Sequence, residues 1–288
     1  MQNRPSLIAY TDGFSASELV ECALRLEELD FDSFWVTEFT GRDPYSTAAF
    51  VLARTSRLRV ATGIANVYAH DAIVAAQNRQ ALAELSGGRF VLGLGVSHPP
   101  MAAMHGAPWL PPLRKMRAYL DAMDATRVDA PAPEEPAPIW LAANGPRLLA
   151  LVAERLDGAN TYLLPPTHTR RAREILGADK RLNVVLPCCL CEDAAVARKI
   201  ARAALTIYMP LPAYQREWRR FGFDASDWEG GGSDRLVDAI VAWGDESAIR
   251  ARIDEHEAAG ASHIVVSAYD PEGRGPHPHW KLLESLAR

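Results

Sequence analysis

The chain has little cysteine, no long apolar run and no excess of positive charge. Its 288 residues include four cysteines, too few for a disulfide framework in a protein of this length. We expect Cys22 to lie on a helix, and Cys188, Cys189 and Cys191 to lie in or just after a strand. Free cysteine is usually buried as a small apolar side chain, and this is the interpretation that we adopt.

No apolar run approaches the roughly 20 residues that a helix needs to cross a bilayer. The opening stretch MQNRPSLIAY also lacks the apolar segment of a secretory signal. A net charge of −5 argues against nucleic-acid binding, which requires a basic face. We therefore expect a cytoplasmic protein that binds neither nucleic acid nor membrane.

The motifs of metalloenzymes and of covalent nucleophiles are missing as well. Histidines such as His70, His98 and His105 are scattered, and the sequence has neither an HExxH motif nor a pair of CxxC motifs. It also lacks the GxSxG turn that presents a nucleophilic serine. We expect no metal site.

What the sequence does contain is a regular alternation of strand-like and helix-like segments. The predicted strands are 7–10, 33–37, 58–64, 89–96, 138–143, 159–164, 183–190 and 263–268. Eight strands, each followed by a helix, predict an α/β fold of the (β/α)₈ or TIM-barrel type. The rival is a doubly wound open sheet with a GxGxxG motif. Here Gly93-Leu94-Gly95 is followed by His98 at the third glycine position, so that fingerprint is absent.

The predicted helices have recognisable ends. Ser15 and Glu18 have the spacing of a capping box. A second helix begins at Asn144-Gly145-Pro146, with proline in the first turn. The helix before the last strand runs from near Asp245 to Gly260.

About 70 residues separate the seventh and eighth predicted strands, far more than one crossover needs. We interpret 193–242 as an extended insertion, rich in aromatic residues and arginine. It could form a wall or lid of the substrate pocket, or equally an interface between subunits.

Chemistry-bearing residues follow several predicted strands. Glu38 follows the second strand and His98 follows the fourth, so both are candidates for acid–base catalysis at the barrel mouth. A single glutamate or histidine at a strand end is more often structural, and the two together strengthen the functional interpretation.

The loop after the fifth strand reads Ala142-Ala143-Asn144-Gly145-Pro146-Arg147. Small residues let a ligand approach the backbone, and the following helix directs its positive end toward that point. The pattern predicts a phosphate site, with an ordinary turn between strand and helix as the alternative.

The chain resembles the bacterial-luciferase-like flavin and deazaflavin oxidoreductases, in the actinobacterial branch assigned to coenzyme F420. The motifs that carry the resemblance are FWVTE at 34–38, GRDP at 41–44, 58–65, GRFVLGLGV at 88–96, PIWLAANGP at 138–146 and LDGA at 156–159. They span essentially the whole chain. The resemblance implies one TIM-barrel domain over 1–288 that binds F420, or alternatively FMN, at the carboxyl ends of its strands. It also implies a homodimer.

The resemblance assigns roles to particular residues. Glu38 is expected beside the deazaflavin ring, and Gly63-Ile64 at a bulge with a non-proline cis peptide behind that ring. His98 stands where some F420-dependent dehydrogenases carry a catalytic glutamate. Phe39 stands where the sugar-phosphate dehydrogenase branch has a histidine base, which argues against sugar oxidation by that route.

The complete set of predicted site residues combines the strand-end positions, the loop pattern, the insertion and the resemblance. The catalytic residues are His98 and Glu38; the cofactor-binding residues are Glu38, Gly63, Ile64, Asn66, Ala142, Ala143, Asn144, Gly145 and Arg147; the substrate pocket contains Phe39, Ser97 and Trp218.

We expect an F420-dependent oxidoreductase that transfers hydride between the deazaflavin and a small organic substrate. One alternative is a monooxygenase that uses reduced FMN. Another is a barrel subunit without cofactor or catalysis.

Overall fold

A closed barrel of parallel strands forms the centre of the protein, in a computed structural model that describes residues 4–274 and 277–287. The strands are β1 (Ser6–Ala9), β2 (Ser33–Val36), β3 (Arg59–Thr62), β4 (Ala65–Asn66), β5 (Phe90–Gly95), β6 (Ile139–Ala142), β7 (Gly158–Tyr162), β8 (Arg181–Leu190), β9 (Ala242–Gly244) and β10 (His263–Tyr269). Strand β10 pairs with both β1 and β8 and so closes the sheet. The predicted TIM barrel is confirmed.

The eight barrel strands are β1, β2, β3, β5, β6, β7, β8 and β10, and all eight coincide with predicted strands. The two short strands were not predicted. Strand β4 resumes the direction of β3 and pairs with β5, and β9 pairs with the end of β8.

Helices surround the barrel. They are α1 (Ala16–Glu28), α2 (Pro44–Leu52), α3 (Ala72–Ser86), α4 (Pro99–Met104), α5 (Pro112–Asp124), α6 (Pro146–Arg155), α7 (Pro166–Leu176), α8 (Ala194–Leu205), α9 (Pro212–Arg220), α10 (Ala225–Trp228), α11 (Asp234–Ile240), α12 (Glu246–Ala258) and α13 (Trp280–Leu286), with a 3₁₀ turn at Glu229–Gly231. No helix of the described residues is long and apolar enough to cross a membrane.

The predicted helix ends are confirmed. Ser15 and Glu18 form both hydrogen bonds of the capping box at the start of α1. Helix α6 begins at Pro146 after Gly145, and α12 follows Asp245, whose carboxylate accepts the N–H of Ala248 at 2.8 Å.

The inside of the barrel is filled by side chains down to the amino ends of its strands. Trp35 and Trp140 stack in this interior with ring centroids 5.4 Å apart. At the same end, Ser6 Oγ lies 2.5 Å from Ser33 Oγ and 2.7 Å from Nε2 of His263. Because packed side chains close this end, a ligand can enter the barrel only at the carboxyl ends of the strands.

The insertion between β8 and β10 packs on that open end. It has a hydrophobic core of its own, formed by Leu163 and Leu164 after β7 and by side chains of α8, α9 and α11. Trp218 of α9 is fully buried, and its Nε1 donates to the carbonyl of Leu163 at 2.9 Å. Helix α9 is thus attached to the end of a barrel strand.

All four cysteines are free, as predicted. Cys22, Cys188 and Cys189 are buried and Cys191 is half-buried. Burial raises the pKa of the Cys22 thiol to about 12, and burial with the charges of neighbouring Cys191 and Asp270 raises the pKa of Cys189 to about 12. Neither thiol is reactive at neutral pH.

Candidate active site at the carboxyl end of the barrel

A bulge separates β3 from β4 at Gly63 and Ile64, which are joined by a cis peptide bond. A Cβ atom on Gly63 would lie 3.0 Å from Ile8 Cδ1 and 3.3 Å from Trp35 Cε3, both on side chains inside the barrel. The bulge therefore lies directly above the packed interior, at the floor of the open end. Ile64 is half-buried and forms an apolar surface there.

Glycines in β5 make room for this bulge. A Cβ atom on Gly95 would lie 2.7 Å from Ile64 Cγ1, and one on Gly93 would lie 1.9 Å from the carbonyl oxygen of Thr62. Both distances are shorter than any tolerated contact, so the GLG sequence of β5 is required by the packing of its neighbour.

Glu38 joins the end of β2 to β4. Its Oε2 accepts the backbone N–H of Asn66 at 2.7 Å, and its Oε1 lies 3.1 Å from Nε2 of His70. Only 9% of its side chain is exposed. The bulge lies in the chain between β3 and Asn66, so Glu38 fixes the strand immediately after it.

His70 was missed by the sequence reasoning, which treated it as one of several scattered histidines. Burial opposes its protonation, but the hydrogen bond and charge of Glu38, with the charges of Asp43 and Asp71, outweigh burial and raise the pKa of His70. The ring of Tyr45 lies edge-on to the imidazole at 4.9 Å. The only signal in the sequence was the position of His70, six residues beyond the end of the predicted strand 58–64.

His98 follows β5 and precedes α4. It is half-buried, and burial lowers the pKa of its imidazole. At neutral pH the ring is therefore neutral and able to accept a proton. The preceding Ser97 has a φ of +54°. Glu38 and His98 both lie at the carboxyl end of the barrel, but they have different neighbours. Glu38 is hydrogen-bonded to Asn66 and His70. The imidazole of His98 lies beside the ring of Tyr214, with the ring centroids 5.7 Å apart.

Five tyrosines converge at the same end, and we call them the tyrosine cluster: Tyr10, Tyr162, Tyr208, Tyr214 and Tyr269. Tyr10, Tyr162 and Tyr269 lie at the ends of β1, β7 and β10, whereas Tyr208 and Tyr214 come from the insertion. The hydroxyls of Tyr10 and Tyr208 are hydrogen-bonded. The ring of Tyr208 packs edge-on against the rings of Tyr162 and Tyr214, with centroid distances of 5.3 and 5.4 Å.

Burial is the main cause that raises the pKa of all five phenols, so they remain protonated hydrogen-bond donors at neutral pH. Tyr10 nonetheless keeps 43% of its surface exposed, which is the combination expected of a side chain at the rim of a concavity. Phe39 is 47% exposed beside the same opening. Sequence reasoning missed the cluster because two of its members belong to the insertion.

The loop predicted to bind phosphate precedes α6 as expected. Asn144, however, uses its side chain on the protein: its Oδ1 accepts the N–H of Tyr162 at 3.1 Å and its Nδ2 donates to the carbonyl of Tyr162 at 3.2 Å. Nε2 of His168 donates to the carbonyl of Asn144 at 2.8 Å. The side chain of Asn144 therefore fixes the loop to β7. Ala142 and Gly145 are half-buried in this loop, Ala143 is buried and Arg147 is exposed.

Glu217 of α9 lies against this loop and was not foreseen. Its Oε1 is 3.1 Å from the point where a Cβ atom on Gly145 would lie. Glu217 is 7% exposed, and its second oxygen lies 3.3 Å from Nε of Arg220. Burial raises the pKa of this carboxyl, against the effect of Arg220, Arg216 and Arg171.

One predicted site residue is corrected. Trp218 was expected to line the substrate pocket, but it is fully buried and its indole N–H is occupied by the carbonyl of Leu163. Its role is to attach α9 to the barrel, while neighbouring Tyr214 points its ring toward His98. Among residues 4–274 and 277–287, no group of three or more His, Cys, Asp or Glu could hold a metal ion.

Comparison with known proteins agrees with the barrel fold. A family model described as luciferase-like monooxygenase matches residues 1–263. The chain belongs to this family. As a member of it, the protein is an enzyme of the luciferase-like class, whose relatives include F420-dependent reductases and dehydrogenases as well as flavin monooxygenases.

Curated members of the luciferase-like family are similar along much of the chain. A 5,10-methylenetetrahydromethanopterin reductase from Methanolobus tindarius is 25% identical, over 89% of this chain and 91% of its own length. A putative coenzyme F420-dependent oxidoreductase from Mycobacterium tuberculosis is 33% identical, over 61% of this chain and 49% of its own.

A solved structure shows the same fold. An F420-dependent secondary alcohol dehydrogenase, in complex with an F420–acetone adduct, superposes with a TM-score of 0.76 at 13% identity, covering 99% of this chain and 97% of that one.

Proposed function

We propose that this protein is an F420-dependent oxidoreductase that transfers hydride between the deazaflavin and a small organic substrate. The observation that carries the proposal is the bulge at Gly63 and Ile64. It presents a half-buried apolar surface at the open end of the barrel, directly above Trp35. Gly95, which has no side chain, lies beside it and leaves room for Ile64. A flat ring system fits against such a surface, and the named F420-dependent relatives support the choice of ring.

The other half of the cofactor needs an anion site. The small residues Ala142, Ala143 and Gly145 open the backbone at the amino terminus of α6, where the helix dipole favours negative charge, and Arg147 is adjacent. The residues present therefore fit a ring with a phosphate-bearing tail. Asn144 contributes by fixing the loop through its bonds to Tyr162.

When bound, the deazaflavin supplies or accepts the hydride. Glu38 and Asn66 fix the strand beside the ring, and Ile64 supports its face. His98, neutral because burial lowers its pKa, accepts the proton of a substrate hydroxyl and returns it in the reverse direction. Phe39 and Ser97 border the substrate, together with the exposed Tyr10 of the tyrosine cluster, whose protonated hydroxyl can donate a hydrogen bond to the substrate oxygen.

A second candidate is oxygen insertion by reduced FMN. The description of the family model as a luciferase-like monooxygenase favours it, and FMN offers the same combination of ring and phosphate. A barrel without any cofactor is the third possibility.

A fluorescence titration of the purified protein with F420, FMN and reduced FMN separates the three. We expect tight binding of F420 and weaker binding of both flavins. Preference for reduced FMN would support the monooxygenase, and binding of none of them would support the non-catalytic barrel. Arg147→Gln should weaken F420 binding, whereas Arg127→Gln, in an exposed ion pair with Asp129, serves as the matched control.

We also propose that the enzyme is a cytoplasmic homodimer, acting as one barrel unit over 1–288. Exposed apolar side chains on α3, Ile73 at 56% and Leu85 at 76%, support a contact between copies. Light scattering should give a dimer for the wild type and a monomer for Leu85→Glu. Leu24→Glu, on α1 at 39% exposure, should remain dimeric.

A further inference from the structure

Tyr10 and Tyr208 join the barrel to the insertion at the open end. Tyr10 directly follows β1, Tyr208 follows α8, and the hydroxyls of the two side chains are hydrogen-bonded to each other. The two residues lie 198 positions apart in the chain. The bond therefore forms only where the folded insertion is packed against the end of β1.

The ring of Tyr208 is held by two further aromatic contacts. It packs edge-on against Tyr162 and Tyr214, at centroid distances of 5.3 and 5.4 Å. Tyr214 lies beside the imidazole of His98. Burial, and to a lesser degree the nearby Tyr10, raises the pKa of Tyr214. One continuous wall therefore joins Tyr10 to the histidine assigned to proton transfer.

The hydrogen bond between the two phenols has a preferred direction. Tyr10 is the exposed member of the tyrosine cluster, at 43%, whereas the other four are half-buried or buried. Within residues 4–274 and 277–287, neither hydroxyl of the pair has a second hydrogen-bond partner. A buried proton without an acceptor is costly, so Tyr208 donates to Tyr10 and the proton of Tyr10 is directed to the opening. Burial raises the pKa of Tyr10, and the bond from Tyr208 partly offsets that effect.

This pair of donors suits a substrate oxygen on which negative charge develops. A hydroxyl that accepts one hydrogen bond becomes a stronger donor in the next. When hydride from the reduced cofactor adds to a carbonyl carbon, the electron pair of the C=O bond moves to the oxygen, which then takes a proton from protonated His98. A hydrogen-bond donor fixed beside that oxygen stabilises its charge before the proton arrives.

We infer that Tyr10 is a catalytic residue that donates a hydrogen bond to the carbonyl oxygen of the substrate, and that Tyr208 is the positioning residue that orients it. The inference rests on the proposed function and narrows the substrate to a carbonyl compound or the corresponding alcohol. It also gives the insertion a role in the chemistry. The donor is oriented only while Tyr208 is packed over the mouth of the barrel.

4-Nitrophenolate is the probe, because its oxygen carries the negative charge that the donor stabilises. Calorimetric titration near pH 8.5 keeps the probe anionic and both tyrosines, whose pKa values burial raises, protonated. Tyr10→Phe should weaken binding roughly tenfold, because a hydrogen bond to a charged oxygen is lost. Tyr208→Phe keeps the ring, loses only the donor to Tyr10, and should weaken binding roughly threefold.

Two controls separate hydrogen bonding from packing. Nitrobenzene has the same ring without the phenolate oxygen, so its affinity should be equal in the wild type and both variants. Tyr68→Phe removes a hydroxyl that accepts the N–H of Leu110 outside the cluster, and should bind 4-nitrophenolate as the wild type does. Circular dichroism checks the folding of each variant.

The absorbance band of the bound probe gives a second readout, because hydrogen bonding at the phenolate oxygen shifts the band to shorter wavelength. The shift should be largest in the wild type, smaller in Tyr208→Phe and smallest in Tyr10→Phe. A packing defect alone would not produce this order.

Three results would each overturn the inference: equal weakening of nitrobenzene and 4-nitrophenolate, wild-type affinity for 4-nitrophenolate in Tyr208→Phe, and no binding of 4-nitrophenolate to the wild type. Failure of the proposed function gives a different result. If the two variants weaken 4-nitrophenolate alone, while the protein binds neither F420 nor a flavin, the tyrosine donor stands and the proposed function fails.

Discussion

Glu38 Oε1 and Nε2 of His70 lie 3.1 Å apart, with 9% and 15% of the two side chains exposed. Burial resists the protonation of His70, but the carboxylate of Glu38 outweighs it and raises the histidine's pKa. A histidine whose pKa is raised by folding stabilises the protein fully below its unfolded pKa of about 6.5. That contribution is lost as the pH rises through the higher pKa of the folded state.

His70→Gln should therefore lower the free energy of unfolding by about 1–3 kcal/mol near pH 6, and by clearly less near pH 9. Urea unfolding at the two pH values measures the difference. His105→Gln, at an exposed position, is the control and should have no effect at either pH. An equal loss at both pH values would show that the ionic interaction is not what His70 contributes.

His98 is predicted to carry the proton transfer. His98→Ala should reduce turnover by roughly 10²–10⁴ and leave F420 affinity near that of the wild type. Because burial lowers the pKa of His98, the rate should fall on the acid side only below about pH 6.5. The pH profile of kcat/KM tests this, and the acid limb should disappear in the variant. Unchanged turnover would show that His98 does not take part in the mechanism. His105→Ala is the control, because it removes an exposed imidazole at the other end of α4.

The barrel was predictable because most of its eight strands are short, largely apolar runs that alternate with helix-like segments, and such runs mark strands buried on both faces. Strands β4 and β9 were not, because two or three residues carry no periodic pattern. The capping residues Ser15 and Asp245 were found because helix-start signals are local in sequence.

The residues of the candidate site also fall into those that could be predicted from the sequence and those that could not. The positions of Glu38 and His98 at the carboxyl end of the barrel could be predicted because both residues directly follow strands, and their catalytic roles stay predictions. His70, Glu217 and Tyr214 were not, because their place depends on how a loop or the insertion packs across the barrel mouth. Trp218 was assigned to the pocket from composition alone, and an indole in an insertion packs inward as readily as it lines a ligand site.

Gly95 is predicted to be essential for the shape of the bulge. In Gly95→Ala the added methyl would lie 2.7 Å from Cγ1 and 2.8 Å from Cδ1 of Ile64. We expect a loss of about 1–3 kcal/mol in stability, as in an overpacked core, together with weaker F420 binding. Ile64→Ala removes both contacting atoms, so the double variant should recover most of the stability lost in Gly95→Ala. Thermal unfolding of the four proteins measures this, and strictly additive effects would contradict the contact.

Trp218 is predicted to hold the insertion on the barrel. Trp218→Phe keeps a large ring but leaves the carbonyl of Leu163 without its donor. We expect a loss of about 1–3 kcal/mol and faster proteolysis within 206–233. Trp243→Phe, which loses the bond from its Nε1 to Asp238 in a half-buried position, is the matched control. Cleavage at the same rate as in the wild type would show that α9 is held by other contacts.

His256 should make the protein sensitive to acid. Burial, with the charges of Arg252 and His168, lowers the pKa of His256 to about 3, and its Nδ1 lies 2.9 Å from Oγ1 of Thr169. The folded protein keeps this ring neutral, whereas the unfolded chain protonates it below about pH 6.5. The unfolded state thus binds more protons, so stability falls as the pH decreases from about 6.5 toward 3.

The contribution of one such histidine is about 1.4 kcal/mol per pH unit in that range. His256→Gln should therefore be less stable than the wild type at pH 7, but should lose stability more slowly between pH 6 and 4. Urea unfolding at several pH values measures both slopes, with His105→Gln as the exposed control. Parallel slopes in the wild type and His256→Gln would mean that other groups govern unfolding in acid. Two such groups are the buried His168 and His263, each with a pKa that burial lowers to about 4.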